Sequence, residues 1–139
     1  MEYDLSLANL ITKSARVITR HYQREVARYS ITASQGGVIY FLNLTGPSTQ
    51  VELAKILHLD KTNVNAMVRK LEAAELIVVQ KQSDDTRKSR VALSEKGRSL
   101  AKKLIEVDEK VDEYYRKLAG SERSAAIIKE FLRKIVFEE

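Results

Sequence analysis

No cysteine occurs in the 139 residues, which excludes disulfide staples, a thiol nucleophile, a thiol redox switch and cysteine-ligated zinc, and fits a reducing cytoplasm. Proline occurs once, at Pro47, and the five glycines stand at 36, 37, 46, 97 and 120. With so few breakers, long helices are expected between them. No apolar run approaches the roughly 18 residues that crossing a bilayer requires. The amino terminus MEYDLSLANLI opens on acids, unlike the basic start of a signal peptide. A cytoplasmic location off the membrane is therefore expected. The two histidines, His21 and His58, fall in different helical stretches with no carboxylate cluster at ligand spacing, so neither a metal nor a cofactor is expected. No nucleophile-elbow sequence or phosphate-binding loop is present, which argues against an enzyme.

What is present is an ordinary globular balance, 44% apolar and 31% charged residues, in a chain of one domain's length. The formal net charge is +5, a mild bias toward polyanionic partners. That excess is spread out: residues 1–47 carry five basic and three acidic groups, 48–96 nine and seven, and 97–139 ten and nine. A nucleic-acid footprint must then come from local clusters. Lys61, Arg69 and Lys70 form one, and Lys81, Arg87, Lys88 and Arg90 another.

Ala8, Ile11, Ala15, Ile18, Tyr22, Val26 and Tyr29 recur at steps of three or four, which predicts a helix from about Leu5 to Tyr29. Lys13, Arg16, Arg20, Arg24 and Arg28 run along its opposite face, as a solvated surface or as an outer contact to phosphates. A second helix is expected over Ile31 to Leu44, capped by Thr32 or Ser34. Gly36 and Gly37 inside it cost about 1 kcal/mol each, and close helix packing is expected to offset that. After Gly46-Pro47, Thr49-Gln-Val-Glu52 is a capping box that starts a short third helix with Leu53, Ala54 and Leu57 inward. Asp60 caps a fourth helix running to about Ala74. Leu76 to Gln82 and Arg90 to Ser94 read as two strands around the polar turn Ser83-Asp-Asp-Thr86. A long helix follows from Glu95 and is broken at Gly120; a last one starts at Ser121. Ile127, Ile128, Phe131, Leu132, Ile135, Val136 and Phe137 cover more than one stripe of that last helix, and so wide an apolar surface calls for a partner chain.

Short helix, turn, second helix and hairpin is the order of a winged helix-turn-helix. In DKTNVNAMVRKLE, Val64, Met67, Val68 and Leu71 fall on one face and would anchor the helix. Opposite lie Thr62, Ala66 and Arg69, with Asn63 and Lys70 on one flank and Asn65 on the other. Ala66 is small enough to let the helix approach base edges. Asn63 or Asn65 suits adenine, and Arg69 a guanine or a phosphate. An ordinary amphipathic surface helix would show more Glu–Lys pairs on its outer face. At the hairpin tip, Arg87 and Lys88 follow Asp84-Asp85, where a wing inserts an arginine into a narrow minor groove; a plain charged turn is the alternative. Tyr22, Tyr29 and Tyr40 suit either an effector cleft or the core.

From Gln50 to Gly97 the chain resembles the MarR family of regulators. The likeness rests on V-E-L-A-K-I-L-H-L, on T-N-V-N-A-M-V-R-K-L-E and on the wing D-D-T-R-K-S-R-V-A-L-S-E-K-G. Within the wing, Asp85 and Arg87 match the family's Asp-x-Arg, and Leu93, Ser94 and Gly97 its Leu-Ser/Thr-x-x-Gly; upstream, Ile31-Thr32-x-x-Gln35 resembles its Leu-Thr-x-x-Gln. The resemblance implies a homodimer built from the first helix and the last two, on a pseudo-palindromic double-stranded operator. It also implies a small phenolic or other aromatic effector, bound between dimerisation and DNA-binding parts, that loosens DNA binding. Arg87 would enter the minor groove while Thr62, Asn63, Asn65 and Arg69 work in the major groove. Two departures stand out: Glu75 replaces the glycine usual after the reading helix, and Val79 an arginine that commonly supports the wing.

The expected fold is thus mainly α with a small β-hairpin, a single domain over residues 1–139. Residues 31–96 form the winged helix-turn-helix, and residues 1–30 and 97–139 the dimerisation helices. DNA contacts are assigned to Lys61, Thr62, Asn63, Asn65, Ala66, Arg69 and Lys70 in the helix, and to Asp85, Arg87 and Lys88 in the wing. Dimer contacts are assigned to Leu7, Ile11, Tyr114, Leu118, Ile128, Phe131, Leu132 and Ile135. The expected function is a sequence-specific transcriptional regulator, a repressor relieved by a ligand. The rivals are an architectural DNA binder without sequence preference and a protein-interaction module that uses the terminal helices.

Overall fold

A computed structural model describes residues 2–81 and 89–138. Six α-helices and one hairpin follow in the order α1 (Leu7–Val26), a 3-10 turn (Ala27–Tyr29), α2 (Ala33–Thr45), α3 (Gln50–Leu57), α4 (Lys61–Ala73), β1 (Ile77–Gln80), β2 (Arg90–Leu93), α5 (Glu95–Leu118) and α6 (Glu122–Phe137). The strands pair antiparallel, with Ile77 opposite Leu93 and Gln80 opposite Arg90.

Each α-helix starts where a short polar side chain can satisfy an orphan amide: Ser6, Thr32, Thr49, Asp60, Ser94 and Ser121 all accept from the backbone N–H three residues on. Two of these caps are reciprocal. The Gln35 side chain accepts from the Thr32 N–H at 3.0 Å and the Glu52 carboxylate from the Thr49 N–H at 3.0 Å, completing two capping boxes. Thr49→Ala should lower stability by about 1 kcal/mol, visible as a lower urea midpoint at unchanged slope.

The core lies where α2, α3, α4 and α5 meet the hairpin: Val38, Ile39, Leu53, Val64, Leu71, Ile77, Val91 and Val111 are fully buried. α1 is covered only toward its end. Ile11, Ile18 and Tyr22 are half-buried and Val26 is buried, but Ala8 and Ala15 of the expected stripe are exposed. The outer layer is apolar and open. α6 has no buried residue, and Leu7, Tyr114, Leu118, Ile128, Phe131, Leu132 and Ile135 are exposed. At its far end α6 meets the α3–α4 turn, where a ring nitrogen of His58 lies 3.0 Å from the Val136 carbonyl.

One sequence expectation needs correction. Close packing does not account for Gly36 and Gly37. A Cβ at Gly36 would lie 3.6 Å from Ile31 and 3.9 Å from Leu104, and one at Gly37 would lie 3.9 Å from Leu57. These are ordinary contacts, so alanine would fit at both.

Candidate nucleic-acid interface

α3 ends at His58 in the left-handed region, φ 53°. The Leu59 N–H returns to the Ala54 carbonyl at 3.0 Å, which reverses the chain within a few residues and brings Asp60 to cap α4. On α4, Val64, Val68 and Leu71 are buried and Met67 is half-buried, as the periodicity requires. Lys61, Thr62, Asn63, Ala66, Arg69 and Lys70 are exposed and Asn65 is half-buried. Among the described residues, no ion pair engages Lys61, Arg69 or Lys70. The two asparagines are not equivalent. The Asn63 side-chain amide donates to Asp60 at 2.8 Å, which reinforces the cap and leaves its oxygen outward, whereas Asn65 has no such tie.

The end of α4 shows how Glu75 replaces glycine. The Leu76 N–H donates to the Leu71 carbonyl at 3.0 Å and the Glu75 N–H to the Glu72 carbonyl at 2.9 Å, the paired bonds of a glycine-type helix stop. Glu75 itself holds φ 62°, so the helix ends as a glycine would end it, with a side chain strained by about 1 kcal/mol. Glu75→Gly should therefore raise stability by about 0.5–1 kcal/mol, read as a higher thermal midpoint.

The start of α5 clamps this joint. Ser94 Oγ donates to the Glu75 carbonyl at 2.6 Å and accepts from the Gly97 N–H at 3.0 Å. The Ser94 N–H reaches the Leu76 carbonyl at 3.1 Å, and Lys96 Nζ the Ala74 carbonyl at 3.0 Å. A Cβ on Gly97 would lie 2.0 Å from the Leu76 oxygen, so the helix passes too near the backbone for any other residue. The Leu-Ser-x-x-Gly pattern is thus a joint between α4 and α5.

The hairpin base is stitched to the α2–α3 turn. Ser48 and Val91 exchange both backbone hydrogen bonds, at 3.0 and 2.7 Å, and Ser48 is 3% exposed. No sequence signal marked this bridge. Arg90 donates to the Pro47 carbonyl at 3.3 Å, and Val79 stands opposite Val91. Asp85, Arg87 and Lys88 lie outside the described residues.

Two cavities flank the α2–α5 contact. One, of about 420 Å³, runs from Tyr29 to the end of α4 and is bordered by Lys70, Lys96 and Lys103; Lys103 Nζ lies 5.6 Å from the Tyr29 ring centre. The other, of about 360 Å³, is lined by Tyr22, Gly36, Gly37, Tyr40, Phe41 and Asp108 among others. There the Tyr22 hydroxyl donates a short hydrogen bond to Asp108, and the Tyr40 hydroxyl reaches its other oxygen at 3.4 Å. Burial, then that bond and the Asp108 charge, push the Tyr22 phenol well above its usual range. Burial and the same charge also raise Tyr40. Tyr22 and Tyr40 thus line a cleft, while Asp108 gave no sign in the sequence because it lies 86 residues from Tyr22.

Among the described residues, no helix is long and apolar enough to cross a membrane, and no group of three or more His, Cys, Asp or Glu could hold a metal ion. The model of the MarR family matches residues 29–88, the stretch from the 3-10 turn into the wing. The HTH-type transcriptional repressor NicR of Pseudomonas putida is 28% identical over 137 residues, covering 96% of this chain and 85% of its own. The uncharacterized HTH-type transcriptional regulator YwoH of Bacillus subtilis is 27% identical over 117 residues, covering 84% and 82%. Among solved structures, the S. aureus MepR–DNA complex superposes with TM-score 0.86 at 20% identity, over 98% of this chain and 100% of that one. Bordetella bronchiseptica BpsR, described with regulation of its DNA binding by 6-hydroxynicotinic acid, superposes with TM-score 0.82 at 22% identity, over 99% and 97%. With a helix-turn-helix, a hairpin and a Leu-Ser-x-x-Gly joint in that order, the chain is similar to the MarR family of winged helix-turn-helix transcriptional regulators, whose model it matches over residues 29–88.

Proposed function

We propose that the protein is a cytoplasmic repressor that binds a pseudo-palindromic operator as a homodimer and lets go when a small aromatic ligand binds. The observation that carries this is the outer face of α4, where Thr62, Ala66 and Arg69 stand exposed behind buried Val64, Val68 and Leu71. Such a face can enter a major groove closely, with Asn65 free to take an adenine edge and Arg69 a guanine or a phosphate. Lys61, Asn63 and Lys70 flank it, and Arg87, with Asp85 and Lys88 beside it in sequence, supplies the minor-groove contact. Residues 31–96 serve as the reading unit, and residues 1–30 with 97–139 as the dimerisation part. The exposed side chains of Leu7, Tyr114, Leu118, Ile128, Phe131, Leu132 and Ile135, with half-buried Ile11, support that division. The two cavities lie between these parts, and the ligand regulation described for BpsR agrees with an effector there.

Selection of bound genomic fragments by the purified protein tests the reading. The fragments should share two half-sites about 10 bp apart, bound at least about 10³-fold more tightly than random duplex at physiological salt. A ratio near one would instead make the protein an architectural binder. On the selected operator, Arg69→Ala and Arg87→Ala should each weaken binding about 10- to 100-fold without lowering the thermal midpoint. Lys88→Ala should weaken all DNA alike and flatten the salt dependence by about one unit of slope. Wild-type operator affinity in both arginine variants would remove those contacts from the account.

A further inference from the structure

The cavity at Gly36-Gly37 carries a charge opposite to the one an aromatic acid needs. Among the described residues that line it none is basic, and one, Asp108, is acidic. The carboxylate accepts from the Tyr22 and Tyr40 hydroxyls and has no ion-pair partner among the described residues. Apart from the Tyr22–Tyr40 pair itself, the charges acting on the two phenols are the carboxylates of Asp108, Asp112 and Glu109. Lys110, the cation two residues further along α5, is taken up by Glu25 at 3.1 Å, and Arg116 pairs with Asp112 at 3.0 Å. The glycines supply the second observation. Each costs α2 about 1 kcal/mol relative to alanine, and neither is required by packing, because a Cβ at either would meet only contacts of 3.6 Å or more. Both glycines line this cavity of about 360 Å³ together with the Tyr40 and Phe41 rings, a volume within the range of small-molecule sites.

We infer that this cavity takes a small aromatic cation, a ring bearing a protonated amine, amidine or quaternary nitrogen, with Asp108 as its counter-charge and the tyrosine and phenylalanine rings as its walls. The inference rests on the effector reading above and narrows its ligand class for this cavity. The cation meets a half-buried carboxylate already positioned by two hydroxyl donors, where an ion pair is stronger than at a fully exposed site. Aromatic faces add cation–π attraction. A benzoate-like acid would meet the Asp108 charge head-on. Its counter-ions lie instead in the other cavity, with Lys70, Lys96 and Lys103.

Two probes of matched shape, benzamidinium and benzoate, decide the matter when titrated calorimetrically into the full-length protein. Benzamidinium should bind with Kd near 1 mM or tighter, as suits a probe of its size, and at least about 10-fold more tightly than benzoate. Asp108→Asn should cut that ratio at least about 10-fold. Tyr22→Phe keeps the ring but removes one donor from the carboxylate, so it should raise the ratio. Benzoate binding as tightly as benzamidinium, a ratio indifferent to Asp108→Asn, or no benzamidinium binding at 10 mM (about tenfold above the expected Kd) would each overturn the inference. Operator release is read separately by fluorescence anisotropy. Benzamidinium that binds at Asp108 without releasing DNA would count against the effector reading and leave this one standing. Benzoate that releases DNA while benzamidinium fails to bind would do the reverse.

Discussion

Gly97→Ala is expected to cost about 3 kcal/mol of stability, lowering the thermal midpoint by roughly 10 °C. The added methyl would sit 2.0 Å from the Leu76 carbonyl oxygen, 3.1 Å from its carbon and 3.3 Å from Leu93. The first of these is a backbone atom that cannot swing aside as a side-chain tip would. It is also the acceptor for the Ser94 N–H at 3.1 Å, so any retreat of Leu76 loosens the bond that starts α5. The change therefore strains the joint between α4 and α5 from both sides. Gly36→Ala is the internal control, with ordinary contacts around its methyl, and should leave the midpoint unchanged or raise it through helix propensity. Equal midpoints for Gly97→Ala and the wild type would show that α5 does not pass Leu76 as closely as described.

Phe131→Asp with Ile135→Asp should convert the proposed dimer into a 15.8 kDa monomer and reduce operator affinity by about 10²–10⁴-fold. That is the loss expected when two linked half-site contacts become independent. The substituted side chains are 40% and 47% exposed within one chain, so their removal costs the single subunit little. Their replacement by carboxylates places two charges in the face assigned to the partner. Light scattering gives the mass and a titration of labelled operator gives the affinity. A double variant that keeps twice the chain mass and wild-type affinity would move the dimer contact elsewhere.

The anchoring of α4 was legible because its information is local. Val64, Met67, Val68 and Leu71 mark the anchored side of α4 by spacing alone, and Asp60 and the Thr49–Glu52 pair announce the helix starts in adjacent residues. Contacts between distant residues left no such mark. Ser48 carries no mark in the sequence, yet its partner is Val91; Tyr22 reads as one apolar position in a stripe, yet its hydroxyl finds Asp108. Gly97 matches a family pattern, but its physical reason is the Leu76 carbonyl, twenty-one positions earlier in the chain. At Gly36-Gly37 the residue type suggested crowding, and the fold placed open volume there. The first helix ends at Tyr29 as its spacing predicts, through a 3-10 turn over Ala27–Tyr29, and Ser30 reverses the chain with φ 60°, a reversal that no glycine announces. Glu75 likewise adopts the left-handed turn in glycine's place, because the paired bonds from Leu76 and Glu75 and the Ser94 clamp hold it there.

The bridge between Ser48 and Val91 has a mechanical consequence. A two-stranded hairpin alone is marginal in water, but β2 is held on its other edge by Ser48, next to Pro47 and Thr49 at the entry to α3. Wing base, α3 and α4 therefore travel as one body, and the distance between Ala66 and Val91 stays constant however far the two heads of a dimer splay apart. On the proposed reading, a ligand would release DNA by swivelling this whole unit, with no bending at the wing base. Hydrogen exchange should register the difference: the Val91 amide should exchange as slowly as that of Leu53 in the helical core, with or without ligand.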